Sequence, residues 1–149
     1  MPTPMLFTLP DDQGQTFNAS EHLPLIIYFY PKDNTPGCTT EAQQFSTLLP
    51  QFQQLGYTVA GISRDNQKSH QNFICKFSLE LTLLSDCDEK VCRQFDVIKE
   101  KNMYGKKVFG IERSTFVLNQ QGLIVHEWRK VKALGHAQQV LATLLNTHA

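Results

Sequence analysis

Apolar positions change their period several times along the chain, and each change marks an element. Leu25-Ile-Ile-Tyr-Phe-Tyr30 is a continuous apolar run that stops at Pro31. Such a run predicts a strand covered on both faces of a sheet. Pro31 to Cys38 reads as a loop. Ala42, Phe45, Leu48, Leu49 and Phe52 then recur at helical spacing, so a helix follows. Pro50 lies inside that pattern and predicts a bend or a split, because proline has no N–H to give the preceding turn. Tyr57–Ser63 reads as a second central strand. Asn66–Ser78 reads as a helix with Phe73, Ile74 and Phe77 facing inward. Leu81–Leu84 is a short strand. Ser85-Asp86 then caps a helix over Cys87–Phe95, since an Asp oxygen accepts the free N–H groups of a first turn.

Upstream, Met5 to Phe17 predicts two short strands around the turn cluster Asp11-Asp12-Gln13-Gly14. Downstream, Ser114–Leu118 and Leu123–Val125 flank Asn119-Gln-Gln-Gly122 as a hairpin. Ala137–Asn146 forms a last helix, with Val140, Leu141, Leu144 and Leu145 on its apolar side. Strand–helix alternation followed by a hairpin and a helix predicts an α/β class fold: a central mixed β-sheet flanked by helices on both faces.

The length of 149 residues suits one domain over 1–149. A chain of this size buries roughly 70% of its unfolded surface, so neither disulfide nor metal is needed for folding. Fourteen Lys+Arg balance fourteen Asp+Glu. Without a basic excess, neither nucleic acid nor an anionic membrane is expected as the main partner. Lys99, Lys101, Lys106 and Lys107 cluster locally and read as a solvated loop. No apolar run approaches the ~18 residues of a membrane span. The segment Met1–Pro10 has neither the basic start nor the apolar core of a secretory signal. The cytoplasm is therefore the expected compartment. Structural disulfides are rare there, so the four cysteines are expected to be buried, metal-bound or catalytic.

Thr35-Pro36-Gly37-Cys38 carries the sharpest chemical signal. Thr35 suits an N-cap and Pro36 the first helical position. Cys38 then falls in the first turn, where unpaired N–H groups and the positive helix end favour a thiolate, the nucleophilic form of cysteine. The helix start follows a buried strand, at the edge where α/β sheets bind ligands. The plainer alternative is that Cys38 fills a small buried space.

Pro31-x-x-x-Thr35-x-x-Cys38 matches the peroxidatic-cysteine motif of peroxiredoxins. The stretch Tyr28-Phe-Tyr-Pro-Lys-Asp-Asn-Thr-Pro-Gly-Cys-Thr-Thr-Glu41 resembles the peroxiredoxin Q branch, also called bacterioferritin comigratory protein. The resemblance continues at Leu83-Leu-Ser-Asp86, Lys101-Asn-Met-Tyr-Gly-Lys106 and Gly110-Ile-Glu-Arg-Ser-Thr-Phe-Val-Leu118, across nearly the whole chain. It implies a thioredoxin-like fold and a thiol-dependent peroxidase. Cys38 would be the peroxidatic nucleophile. Thr35 would hydrogen-bond a peroxide oxygen, Pro31 would shield the site from water, and Arg113 would lie near the thiolate. Without the resemblance, Arg113 beside Glu112 reads as a surface ion pair.

The implied chemistry oxidises Cys38 to a sulfenic acid, with no metal, haem or flavin. A second thiol then forms a disulfide, which thioredoxin or a similar dithiol reduces. Many members of the branch place that second cysteine five residues after the first. Gln43 stands there in this chain. Cys75, Cys87 and Cys92 remain as resolving candidates, along with an outside thiol. Cys75 sits about 200° around its helix from Phe73, at about 100° per residue, and points toward solvent. Some branch members also carry the second cysteine on this helix. Cys87 shares a stripe with Val91 and Phe95, Cys92 lies near its edge, and both are expected to pack as small apolar groups. Cys87 and Cys92 lack the C-x-x-C spacing of a metal site or a disulfide exchanger. His22, His70, His126, His136 and His148 are scattered and read as surface or capping residues. The rival function is a thioredoxin-fold redox sensor or holdase that switches once through Cys38. The chain lacks the long C-terminal extension of the obligate-dimer branches, so a monomer is expected.

Overall fold

The computed structural model describes residues 3–147 and the backbone of residue 148. The readings placed on Met1 and Pro2, and on the His148 side chain, lie outside the described residues. Two short strands, β1 (Thr8–Pro10) and β2 (Thr16–Asn18), pair antiparallel around the Asp11–Gly14 turn, as the pattern predicts. The central sheet holds β3 (Leu25–Phe29), β4 (Thr58–Ser63), β5 (Thr82–Ser85), β8 (Ser114–Leu118) and β9 (Ile124–Trp128). Its order is β5-β4-β3-β8-β9. The pairs β3–β4 and β4–β5 are parallel, while β3–β8 and β8–β9 are antiparallel. The fold is therefore the expected thioredoxin-like mixed sheet.

Every residue of β3 is buried, which explains its unbroken apolar run. Alternate residues enter two cores. Ile26 and Tyr28 face one core with Phe45, Phe52, Phe73, Val117, Val140 and Leu144. That core is covered by α1 (Pro36–Gln54), α2 (Gln67–Phe77) and α4 (His136–His148). Leu25, Ile27 and Phe29 face the other, with Phe7, Phe17, Val91, Phe95 and Phe116. This face is covered by the β1–β2 hairpin and by α3 (Lys90–Gln94). Each large apolar side chain so buried contributes about 1.5–3 kcal/mol.

Four local expectations change. The helix through Pro50 runs unbroken, because Pro50 lies near its end and forfeits one intrahelical bond rather than a buried ladder. Helix α3 starts at Lys90, later than expected. Asp86 still caps it: its carboxylate accepts from Val91 N–H at 3.2 Å and Cys92 N–H at 2.6 Å. Cys87 thus precedes the helix and is exposed, which overturns its packing with Val91 and Phe95. Leu145 is half exposed rather than in the core. Finally, the lysine cluster is a hairpin, β6 (Ile98–Met103) with β7 (Lys106–Ile111), rather than a loop. Its strands are mostly exposed on both sides, so no apolar alternation announces them. Its one local signal is Tyr104-Gly105, both at positive φ, the conformation of a two-residue hairpin turn.

The parallel strands all end at one edge of the sheet. Tyr30, Ser63 and Ser85 stand there, and polar side chains of the following loops collect beside them.

Gly61 on β4 makes room for that edge. A Cβ there would lie 2.7 Å from Tyr28 Cζ and 2.9 Å from Leu83 Cδ2, both in packed core. Gly61→Ala should therefore destabilise the fold by about 1–3 kcal/mol, read from urea denaturation midpoints. An unchanged midpoint would mean that Tyr28 moves aside freely.

Candidate active site

Antiparallel pairing of β3 with β8 sets Phe29 opposite Ser114. The end of β3 and the start of β8 therefore meet. The chain leaving β3 reaches α1 through Pro31–Thr35, and the chain entering β8 brings Arg113. Cys38 is the third residue of α1 and only 1% exposed. Arg113 Nη2 donates to Cys38 Sγ at 3.4 Å, and Nη1 donates to Glu41 Oε1 at 2.7 Å. Arg113 thus pairs with Glu41, one helical turn beyond Cys38, and not with its neighbour Glu112.

Gly37 is part of this contact. A Cβ on it would stand 3.1 Å from Arg113 Nη2, so a larger residue would crowd the guanidinium beside the sulfur. Pro36 occupies the start of the helix as expected, and Thr35 takes the N-cap position. The Thr35 side chain does not cap, however. Its hydroxyl donates to the Lys32 carbonyl at 2.9 Å. The hydroxyl hydrogen is therefore held within the loop, while the oxygen lone pairs remain available to accept. Pro31 and Thr35 are half-buried on the same loop.

Sequence reading assigns no role to Glu41, although it stands inside the quoted motif stretch. It is wholly buried, and Oε2 has no hydrogen-bond partner among the described residues. Burial raises its carboxyl from the ordinary 4.5 to about 7, against the opposing pull of the Arg113 charge. Burial also works against the charge on Arg113, but Glu41 and Cys38 outweigh it, and the guanidinium holds its proton more tightly than usual. The asymmetry follows from solvent: the Arg113 side chain keeps 16% of its surface and Glu41 keeps none. Tyr28 stacks on Phe45 within the same core, with its hydroxyl buried and without a partner among the described residues. Burial, followed by the charges of Glu41 and Cys38, raises its phenol well above the ordinary range, so it stays protonated.

The remaining cysteines are dispersed, and all four are free thiols. Cys75 is exposed on α2, as its helical angle predicts. Cys87 is exposed, and its Sγ lies 3.7 Å from the Asp65 carbonyl. Cys92 is buried, and burial together with a hydrogen bond to Asp86 raises its thiol strongly. Two histidines contradict the surface reading. His70 and His136 are both buried. His136 contacts Thr115 Oγ1 at 2.7 Å, and burial lowers its affinity for a proton. No residue spacing signals these positions, because helical histidines with polar neighbours look alike whether solvent or another loop lies opposite.

Chemically, the site offers a sulfur nucleophile at a helix N-terminus, a fixed guanidinium against it and a threonine oxygen able to accept. The guanidinium and the helix N-terminus stabilise negative charge on an oxygen departing from whatever the sulfur attacks, while the threonine oxygen can accept from an O–H on the attacked group.

Comparison with known proteins agrees in family and fold. Residues 3–127 match the AhpC/TSA family model. The chain is 61% identical over 120 residues to peroxiredoxin Bcp of Xanthomonas campestris pv. campestris, covering 80% of this chain and 75% of that protein. It is 43% identical over 138 residues to peroxiredoxin Bcp of Bacillus subtilis, covering 91% and 88%. A solved structure of the Xanthomonas campestris bacterioferritin comigratory protein, from work on that protein's alkyl peroxide reduction activity, superimposes with a TM-score of 0.90. It is 52% identical, with 96% of this chain and 92% of that chain covered.

The raised Glu41 carboxyl makes stability depend on pH. Between 4.5 and about 7 the folded chain binds a proton that the unfolded chain has released. The contribution is full below pH ~4.5 and is lost as pH rises through ~7. In a Cys38→Ser background, the stability of the Glu41 protein relative to Glu41→Gln should fall from pH 5 to pH 8, by on the order of 3 kcal/mol. Urea denaturation of both proteins across that range measures it. Parallel curves would show that Glu41 titrates as an ordinary carboxylate.

Proposed function

Because the chain belongs to the AhpC/TSA family, as a peroxiredoxin of the Bcp branch, we propose that Cys38 is its peroxidatic nucleophile and Cys75 its resolving thiol. The protein is a peroxidase, an oxidoreductase acting on peroxides. The observation that carries the site assignment is the 3.4 Å contact from Arg113 Nη2 to Cys38 Sγ.

In this reading the Cys38 thiolate attacks one peroxide oxygen along the O–O axis. The S–O bond forms as the O–O bond breaks, and the leaving oxygen departs with the electron pair. It takes a proton and leaves as water or an alcohol. Arg113 offsets the negative charge in the transition state, and the N–H groups of the α1 first turn that have no intrahelical partner add to it. Thr35 accepts from the peroxide O–H, because its own hydrogen is committed to Lys32. Pro31 screens the sulfur from water. Glu41 acts through Arg113 by fixing the plane of the guanidinium. Hydrogen peroxide and organic hydroperoxides are the substrates. The alkyl peroxide reduction of the Xanthomonas protein supports the organic class.

Cys38 is left as a sulfenic acid. The Cys75 thiolate attacks that sulfur, an S–S bond replaces the S–O bond, and water is released. Thioredoxin or a similar dithiol then reduces the disulfide. The Cα atoms must come within about 7 Å, so the first turn of α1 unwinds to bring the buried Cys38 to the exposed Cys75. Cys92 is a poor rival because its thiol resists ionisation. Cys87 is the accessible alternative. We read the working unit as a cytoplasmic monomer.

Cys38→Ser should abolish turnover in an assay coupled to thioredoxin, thioredoxin reductase and NADPH. Substantial residual turnover would move the nucleophile elsewhere, and a single turnover in the unmodified protein would favour the sensor reading. Arg113→Ala should slow sulfenic acid formation by about one to three orders of magnitude in stopped-flow experiments. An unchanged rate would leave Arg113 a structural ion pair.

Cys75→Ser should stop thioredoxin-dependent turnover and accumulate sulfinic acid at Cys38, as seen by mass spectrometry. Undiminished turnover, or a Cys38–Cys87 peptide, would reassign the resolving thiol.

A further inference from the structure

A second polar cluster lies beside the site and is not used by the peroxide chemistry above. Asp33, on the loop between β3 and α1, is only 5% exposed, and His70 on α2 is fully buried. The Asp33 carboxylate accepts from the Tyr30 hydroxyl on Oδ1. On Oδ2 it meets the Ser69 hydroxyl and His70 Nδ1, each at 2.8 Å. The Asp33 N–H donates to Asp65 Oδ2 at 2.8 Å. His70 Nε2 stands 3.0 Å from the Leu84 carbonyl at the end of β5. The next loop residue, Asn34, accepts from Lys76 Nζ at 3.3 Å. Ser69, His70 and Lys76 all belong to α2, the helix that carries Cys75.

Burying an aspartate and a histidine costs several kcal/mol unless each finds partners, and packing alone would be met by apolar residues. The cluster ties one loop to one helix. We propose that Asp33 and His70 are positioning residues that form a pivot: they hold the loop ahead of Cys38 on α2 while the first turn of α1 unwinds, and so keep Cys38 within reach of Cys75. The inference rests on Cys75 as the resolving thiol. Cys38 is five residues beyond Asp33. At ~3.3–3.6 Å per residue, such a tether reaches about 16–18 Å from the pivot. Without the pivot, the next fixed point is Tyr30, whose N–H is bonded to the Ile62 carbonyl at 3.1 Å. Cys38 lies eight residues beyond it. Lengthening a flexible tether from five residues to eight lowers the local concentration of its end roughly twofold, by the −3/2 power of length. The pivot also keeps Thr35 and Pro31 folded while Cys38 moves.

Two substitutions separate this role from general stabilisation. His70→Asn can place an amide N–H near the position of Nδ1 and keep the bond to Asp33. His70→Gln can reach the Leu84 carbonyl in place of Nε2 and loses the bond to Asp33. Full-length proteins are reduced, mixed with one equivalent of hydrogen peroxide, quenched at intervals and mapped by mass spectrometry. In His70→Gln, sulfenic acid formation should keep the wild-type rate. Cys38–Cys75 linkage should slow about twofold, and under excess peroxide sulfinic acid at Cys38 should rise correspondingly. His70→Asn should restore the linkage rate. Unchanged linkage in His70→Gln, or equal slowing of both steps in both variants, would overturn the pivot. If His70→Gln does not fold, Ser69→Ala removes one bond to Asp33 without disturbing the buried pair. It should slow linkage alone by a smaller factor, and no slowing would overturn the proposal. A wild-type protein that never links Cys38 to Cys75 would instead refute the resolving assignment, which distinguishes the two failures.

Discussion

One guanidinium serves two partners at the centre of this molecule. Arg113 places Nη1 on the Glu41 carboxylate and Nη2 on the Cys38 sulfur. The planar fork of arginine makes this possible, because its N–H groups point in fixed directions and the charge is never lost. Glu41 and Cys38 lie one turn apart on α1, so a single cation at the start of β8 addresses both. The contact also cross-links the helix to the sheet. Gly37 belongs to the same constraint, since any side chain there would meet the guanidinium.

The energetics of this arrangement are local and opposed. A buried carboxylate loses its hydration, and the adjacent cation recovers only part of the loss. Apolar packing around Tyr28, Phe45 and Phe52 supplies the stability that carries it. The same surroundings exclude water from Cys38, which strengthens every electrostatic contact the sulfur makes. Burial also bears on the proposed disulfide: a sulfur shielded this well cannot meet an exposed thiol without movement. The proposed unwinding of the first turn of α1 would confine that movement to a few backbone bonds, and the proposed pivot at Asp33 would hold the preceding loop in place.

Both polar clusters stand at the carboxyl edge of the three parallel strands. The continuous apolar run of β3 ends at Tyr30, where Pro31 cannot donate to the ladder, and the neighbouring parallel strands finish at the same level. Side chains following β3, β4 and β5 are thereby collected from distant parts of the chain. Asp33, Asp65 and Asp86 each follow one of these strands. Asp33 and Asp65 are joined to each other, and Asp86 caps α3.

The sheet strands, the long helices and the position of Cys38 were legible along the chain, because apolar periodicity and the Thr35-Pro36 helix start are local signals. The motif resemblance also pointed to Thr35, Pro31 and Arg113 before any contact was known. The β6–β7 hairpin was not legible, since strands exposed on both faces carry no alternating pattern. The burial of His70 was equally hidden: polar neighbours on its own helix suggested solvent, while its actual partners, Asp33 and Leu84, come from other elements. Glu41 stood in plain view without a role, because its burial and its partner depend on where β8 begins relative to β3. By itself, then, the sequence determined the strands of the central sheet, the long helices and the helix-start position of Cys38, as these follow from neighbours along the chain. Tertiary structure alone decided which charges meet, because the antiparallel register of β3 and β8 brings Arg113 to Glu41 and Cys38 across 72 and 75 positions.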